Sequence, residues 1–269
     1  MKYLKTGQFF GETDKTFLLE GITLTDTAYT VEKVDWHYHE NPYFTFIIAG
    51  GIIEGNKKNT YNCPAGTLLF HNWQEPHYNS NPEKFTRGFQ LEIKKDWCDS
   101  FDIDLDNLSA ELNISNPQVK ILFHNIYKET KIFDKVSSFA IEGLLLQAIQ
   151  ELGETPISSK SKKPDWVKKA DEFLRENSSE DLTLKILSKE LNLHPVYLSR
   201  SFAKFFRYNF GEYVRKIKVE KSLILLRNKK LSLTEISFAS GFADQSHFNR
   251  CFREFIGTSP KDYRKLILQ

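Results

Sequence analysis

The stretch Gly241–Pro260 reads GFADQSHFNRCFREFIGTSP. Phe248, Phe252 and Phe255 recur at i, i+4 and i+7, the spacing that places side chains on one face of a helix. The outer face carries Ser246, Asn249, Arg250 and Arg253. One side of this helix is expected in a core, and the other presents a row of hydrogen-bonding groups.

The pattern occurs twice. TLKILSKELNLHPVYLSRSFAKFF (Thr183–Phe206) parallels SLTEISFASGFADQSHFNRCFREF (Ser232–Phe255). In each copy a hydroxyl residue, Thr183 or Ser232, precedes a short amphipathic helix. Glu235 stands where it completes a capping box with Ser232. Asn192 and Gly241 follow, both residue types that accept the left-handed backbone ending a helix. A second helix starts directly after. Leu198, Phe202 and Phe205 match the three phenylalanines of the later copy, and Arg200 matches Arg250. This is the outline of two helix-turn-helix units. A bundle whose polar faces merely meet water is the alternative. The duplication with matched arginines favours DNA, because an Arg fork suits the guanine edge in the major groove.

Charge agrees. Residues 165–269 hold 20 Lys+Arg against 13 Asp+Glu, a net of +7, while the chain as a whole stands at +2. The front part is therefore acidic and the rear part suits a polyanion.

Gly241–Phe242, Phe248, Arg250, Phe252, Gly257, Ser259–Pro260 and Tyr263–Arg264 resemble, in order and spacing, the signature of AraC-type transcription regulators. The resemblance covers about Pro164–Gln269. It implies two helix-turn-helix units bridged by a long helix, here about Asn209–Asn228. It also implies base-reading positions at Val196, Ser199, Arg200, Gln245, Ser246, His247, Asn249 and Arg250. Arg207 departs from the family's usual Gly, Lys218 from Arg, Ser222 from Ala, and His194 from a small capping residue.

The first part of the chain reads differently. YFTFIIAGGIIEG and GTLLFHNW are short β-branched and aromatic runs broken by turn signals, as in a barrel or sandwich. His37 and His39 are spaced to face one side of a strand. With Pro64, Gly66 and His77 they resemble the two core motifs of cupins, the usual sensor barrel of AraC-type regulators. A metal-binding cupin would also supply a Glu near Tyr43, and that Glu is missing. Three imidazoles remain able to hold Zn²⁺ or Fe²⁺, but the preferred expectation is no metal and no cofactor. The preferred site is an effector pocket lined by His37, His39, Tyr43, Phe46, Trp73 and His77.

The expected architecture is thus an all-β cupin-like barrel with flanking helices, followed by an all-α double helix-turn-helix domain. Residues 1–115 form the barrel. Residues 116–152 are helical and pack on it, pair subunits, or both. Residues 153–164, rich in Gly, Pro, Ser and Lys, are a linker. Residues 165–269 bind DNA. The expected function is transcription regulation by a homodimer that binds double-stranded DNA and a small-molecule effector, not catalysis. The rivals are a cupin metalloenzyme with an accessory helical domain and an effector-independent DNA-binding regulator. Three scattered cysteines, no apolar run of membrane-spanning length and no signal-peptide pattern favour a cytoplasmic protein with no membrane partner.

Overall fold

The computed structural model describes residues 1–81, 85–105, 113–153 and 164–268. The strands are β1 (Lys2–Leu4), β2 (Glu12–Leu18), β3 (Ile22–Tyr29), β4 (Lys33–His39), β5 (Tyr43–Ala49), β6 (Gly51–Asn56), β7 (Thr60–Pro64), β8 (Leu68–His71), β9 (His77–Ser80) and β10 (Thr86–Ile93). The helices are α1 (Lys95–Ser100), α2 (Pro117–Ile132), α3 (Ser137–Gly153), α4 (Asp165–Glu176), α5 (Leu184–Glu190), α6 (Pro195–Phe206), α7 (Phe210–Leu225), α8 (Leu233–Ala239), α9 (Gln245–Ile256) and α10 (Pro260–Ile267). None of them is long and apolar enough to cross a membrane. Cys63, Cys98 and Cys251 are buried free thiols.

The chain divides into two units. The first comprises Met1–Asn116 and Phe133–Gly153. Its strands form two five-stranded sheets, ordered β1-β4-β9-β6-β7 and β2-β3-β10-β5-β8. The expected barrel is therefore cupin-like without being closed by hydrogen bonds all round. Strands β3 and β5 are inner strands of the second sheet and are buried along nearly their whole length. That explains why YFTFIIA reads as a continuous apolar run rather than an alternation. Trp97 on α1 donates its indole N–H to Glu142 on α3 at 2.8 Å, tying the two helices of this unit together.

The second unit joins α2 to the described residues from 164 onward. The stretch 116–152, expected to act as one barrel-associated segment, is thus divided. Helix α3 belongs with the sheets, whereas α2 contacts α7, α9 and α10. The linker expected over 153–164 lies outside the described residues except for Gly153 and Pro164.

The helix boundaries follow from their caps. Thr183 accepts from the Ile186 N–H, Ser232 and Glu235 form the full capping box, and Ser259 caps α10 ahead of Pro260. His194 does the capping itself, its Nδ1 accepting from the Val196 N–H at 3.3 Å. Asn192 and Gly241 both have positive φ, 51° and 87°. At Gly241 a Cβ would also stand 2.1 Å from the Ser178 carbonyl oxygen, so no other residue fits. Lys218 fixes the same turn by donating to the Gly241 carbonyl at 2.5 Å.

The apolar stripes are close to expectation with one shift. Leu198, Phe202, Phe248 and Phe252 are buried, and each helix closes its core with Phe206 or Ile256. Phe205 and Phe255 are only half-buried. Helix α7 lies between the two helix-turn-helix units and buries Glu220. Glu220 accepts from Arg175 of α4 at 3.1 Å and from Lys120 of α2 at 3.0 Å. Burial pushes its carboxyl up, but Arg175 and Lys120 more than reverse this, so it stays below its ordinary range. Helix α2 also terminates α9. Asn125 donates to the Phe255 carbonyl and Lys128 to the Ile256 carbonyl, satisfying groups at a helix end that lack intrahelical partners.

Two outcomes are expected. Arg207 closes α6 at φ 68°, where Gly257 closes α9 at φ 76°. A left-handed residue with a Cβ costs roughly 1–2 kcal/mol, so Arg207→Gly should stabilise the protein by about 1 kcal/mol, read from the denaturant midpoint. The second concerns His124, which sits buried with Nδ1 3.1 Å from the Tyr263 hydroxyl. Burial pushes its pKa from 6.5 down to about 3. The unfolded chain therefore takes up a proton that the folded one refuses. The stability His124 contributes is complete above about pH 6.5 and is lost as pH falls toward about 3. The slope is at most about 1.4 kcal/mol per pH unit. His124→Gln should flatten the loss between pH 6.5 and 5 relative to parent, measured by denaturant midpoints across that range.

Candidate nucleic-acid interface and sheet cavity

Helices α6 and α9 present the positions expected to read DNA. Val196, Ser199 and Arg200 are exposed on α6, and Ser246 and Arg250 on α9. The contrast along α9 is sharp: Phe248 and Phe252 are fully buried while Arg250 between them faces solvent. Gln245, His247 and Asn249 are half-buried. Gln245 accepts a hydrogen bond from Thr234 at 2.7 Å, and the His247 ring packs edge-on against Phe242 at 5.5 Å. These two are braced by the helix-turn-helix itself. Sequence reasoning missed Tyr197, which is 47% exposed beside Val196. It precedes the buried Leu198 by one residue, about 100° round the helix, and so points away from the core. Arg253 is exposed one turn beyond Arg250.

The first unit holds a cavity between its two sheets, with about 10 Å³ free for the centre of a water-sized sphere. Four strands each supply a pair spaced by two residues: His37 and His39 from β4, Tyr43 and Thr45 from β5, Ile52 and Glu54 from β6, His77 and Asn79 from β9. Phe9, Phe10, Tyr29 and His71 complete it. Alternation along a strand explains the pairs. It also explains one correction. Phe46 is three residues from Tyr43, so it points to the other face and does not line the cavity. Trp73, also expected there, lies beyond the end of β8 and is 46% exposed. Glu54 and His71 were not anticipated. The signal was present in Ile52 and Glu54, a core residue and a carboxylate two apart on one strand, but the strand that faces the histidines is set by pairing, not by local sequence.

The cavity is uncharged near neutrality. Burial pushes His39 down to about 2 and His77 to about 3, and lowers His37 and His71 as well. Burial raises Glu54 to about 8. Hydrogen bonds fix two tautomers. His37 Nδ1 lies 2.9 Å from the Asp35 carbonyl oxygen and His77 Nδ1 lies 3.0 Å from that of Glu75. A carbonyl only accepts, so each ring donates from Nδ1 and carries its lone pair on Nε2. The Tyr43 hydroxyl donates to that lone pair of His77 at 2.9 Å. Among the described residues, His39 Nδ1, His71 Nδ1 and Glu54 Oε1 find no hydrogen-bond partner and are buried.

Residues 187–266 match the family model of a helix-turn-helix domain. The second unit ends in an AraC-type domain. Over 127 residues the chain is 33% identical to the Msm operon regulatory protein of Streptococcus mutans, spanning 46% of this chain and 45% of that one. It is 27% identical over 97 residues to the melibiose operon regulatory protein of Escherichia coli, covering 36% and 32% of the two chains. The solved C-terminal domain of AraT, a response regulator from Geobacillus stearothermophilus, is 33% identical; the match covers 39% of this chain and 88% of that one, with a TM-score of 0.37. The chain spans less than half the length of these two curated relatives.

Because Glu54 is held neutral by burial and accepts from the Asn79 amide, an uncharged isostere should replace it without loss. Glu54→Gln is expected to leave the stability of EDTA-dialysed protein at pH 7 within about 1 kcal/mol of the parent, since an amide oxygen accepts as the carbonyl of a protonated carboxyl does. A shared melting temperature checks this.

Proposed function

We propose that this chain is a DNA-binding transcription regulator of the AraC type and not an enzyme, with helices α6 and α9 in the major groove and an effector held in the cavity of the first unit. The observation that carries the reading is the duplicated geometry of the two second helices. Each is fixed by a buried aromatic or aliphatic stripe, and each offers an exposed Arg, Arg200 or Arg250, at the same place relative to it. The positive charge of the C-terminal region supports a phosphate-rich partner, and α2 adds three lysines against one glutamate to that unit. The neutral imidazoles, Tyr43 and Glu54 make the cavity a place for a small polar effector. Phe139 on α3 is 74% exposed, with Gly143 and Leu146 following at helical spacing, and this supports pairing of two copies through α3.

The reading is tested on the full chain with a duplex selected from random sequence. Arg250→Ala should cost about 1–3 kcal/mol of specific binding and relax base choice at one position. Arg200→Ala should do the same about one helical turn, or ~34 Å, along the duplex. Binding should weaken steeply with salt, as phosphate neutralisation requires. Parent-like affinity and footprint in either variant would remove that arginine from the reading surface. An absence of DNA binding by the parent at low salt would remove the function.

A further inference from the structure

We propose that the cavity of the first unit is a binding site for one divalent transition-metal ion of the zinc class, held by Glu54, His71 and His77. The ligand atoms of these three residues lie within 4.8 Å of one another. All three side chains are buried, at 1%, 2% and 2% exposure. They come from three strands, β6, β8 and β9, so the sheets fix their separation and no flexible loop is involved.

Four features point to a cation rather than to ordinary packing. The Glu54 Oε1 atom is buried without a partner, and the nearest basic atom is His71 Nε2 at 3.9 Å, beyond hydrogen-bond reach. A buried carboxyl oxygen left this way costs free energy that a coordinated ion would recover as it displaces the proton. His71 Nδ1 is likewise buried and unpartnered. His77 is oriented as metal-bound histidines usually are: its Nδ1–H donates to a backbone carbonyl, which aims the Nε2 lone pair into the cavity. The cavity leaves room for about one water-sized sphere, which suits a single ion.

The donor set selects the metal. Two imidazoles and one carboxylate, with no thiolate among them, suit Zn²⁺ and its neighbours rather than Mg²⁺ or Ca²⁺, which take oxygen donors. Tetrahedral zinc at about 2.0–2.1 Å from each ligand needs donor atoms roughly 3.4 Å apart. The separations present, 3.9 Å between His71 Nε2 and Glu54 Oε1 and no more than 4.8 Å overall, would have to shorten on binding. His77 Nε2 then gives its lone pair to the ion in place of the Tyr43 hydroxyl proton, and Tyr43 is left beside the open coordination position. His37 and His39 form a second possible group with His77, also within 4.8 Å. That group lacks a carboxylate, so it would hold a dication in a buried site with no compensating negative charge. The expectation of no metal rested on the missing carboxylate near Tyr43. The structure supplies one from β6 instead.

The proposal rests on the reading of this cavity as an effector site and names the effector's class. Its failure is separable from the failure of that reading, because metal binding is measured without DNA. Full-length protein is stripped with EDTA, reloaded with Zn²⁺, dialysed and assayed for zinc per chain, with Co²⁺ as a spectroscopic probe. The parent should retain one zinc per chain and show the visible absorption of four-coordinate Co²⁺. Glu54→Gln and His71→Gln should each weaken zinc affinity by at least roughly tenfold, the size seen even for an outer-shell partner. The unchanged melting temperature of EDTA-treated Glu54→Gln shows that its loss of metal is not unfolding; if that variant does not fold, His71→Gln carries the test. A parent that retains no zinc overturns the proposal. So does parent-like affinity in both variants, and so does loss of zinc on His37→Ala, His39→Ala while Glu54→Gln binds normally, which would place the ion in the other group.

Discussion

Glu220 holds the C-terminal unit together at the point where three helices meet. It sits on α7, between the two helix-turn-helix units, and its carboxylate is shared by Arg175 of α4 and Lys120 of α2. Arg175 also reaches Asp171, which accepts from the Tyr213 hydroxyl at 2.7 Å. Such buried charges contribute little net stability over a well-packed apolar alternative, but removing one partner strands the rest at a cost of about 3–5 kcal/mol. The network therefore acts on arrangement. Leucines in these places would allow α2 or α4 to slide along α7. A carboxylate that must meet two cations from opposite helices does not. The two reader helices inherit their mutual placement from α7, so the geometry available for DNA depends on this one side chain.

The same constraint governs the ends of the helices. Arg264 donates to the Leu226 and Leu231 carbonyls, holding α10 against the chain that leaves α7. Lys218 holds the Gly241 turn, and Lys128 with Asn125 closes α9. In each case a long cationic or amide side chain from one helix satisfies a carbonyl at a helix end or in the turn beside it. Lys218 performs this at a position where Arg was expected, and a single ammonium proves sufficient because its principal partner is one carbonyl.

What could be read from the sequence was local. Caps, left-handed turn residues and the i, i+4, i+7 stripe involve residues within a few positions of one another, and the structure keeps them nearly unchanged. The stripe's last member was misplaced by one: 3.6 residues per turn carries the buried face from Phe248 and Phe252 to Ile256 rather than Phe255. Arg207 was visible as a departure, and its positive φ explains what is odd about it. What failed depended on distant partners. Helix α2 follows the sheets in sequence, yet its partners on α7, α9 and α10 lie some hundred residues later, and no local pattern carries that information. Phe46 failed for a different reason. Its odd offset from Tyr43 already placed it on the far face of β5, so strand alternation alone would have excluded it.

The sheets show why the cavity calls for a chemical explanation. The neighbouring apolar cluster of Ile47, Ile52, Cys63 and Leu69 closes the space between strands in the ordinary way, with each side chain near or at zero exposure. Two residues further along the same strands, on the same face, Ile52 gives way to Glu54 and Leu69 to His71. β6 and β8 lie in different sheets, so the facing of the two sheets that brings Ile52 and Leu69 into one core also brings Glu54 and His71 to the cavity from opposite sides. An isoleucine and a leucine at those positions would remove two unpartnered polar atoms at about 1–3 kcal/mol each and extend the core without altering the fold. The retained carboxylate and imidazole make the sheets less stable than their own topology permits. That deficit sits where Tyr43, His37, His39 and His77 also converge, which is where occupancy by a ligand would offset it.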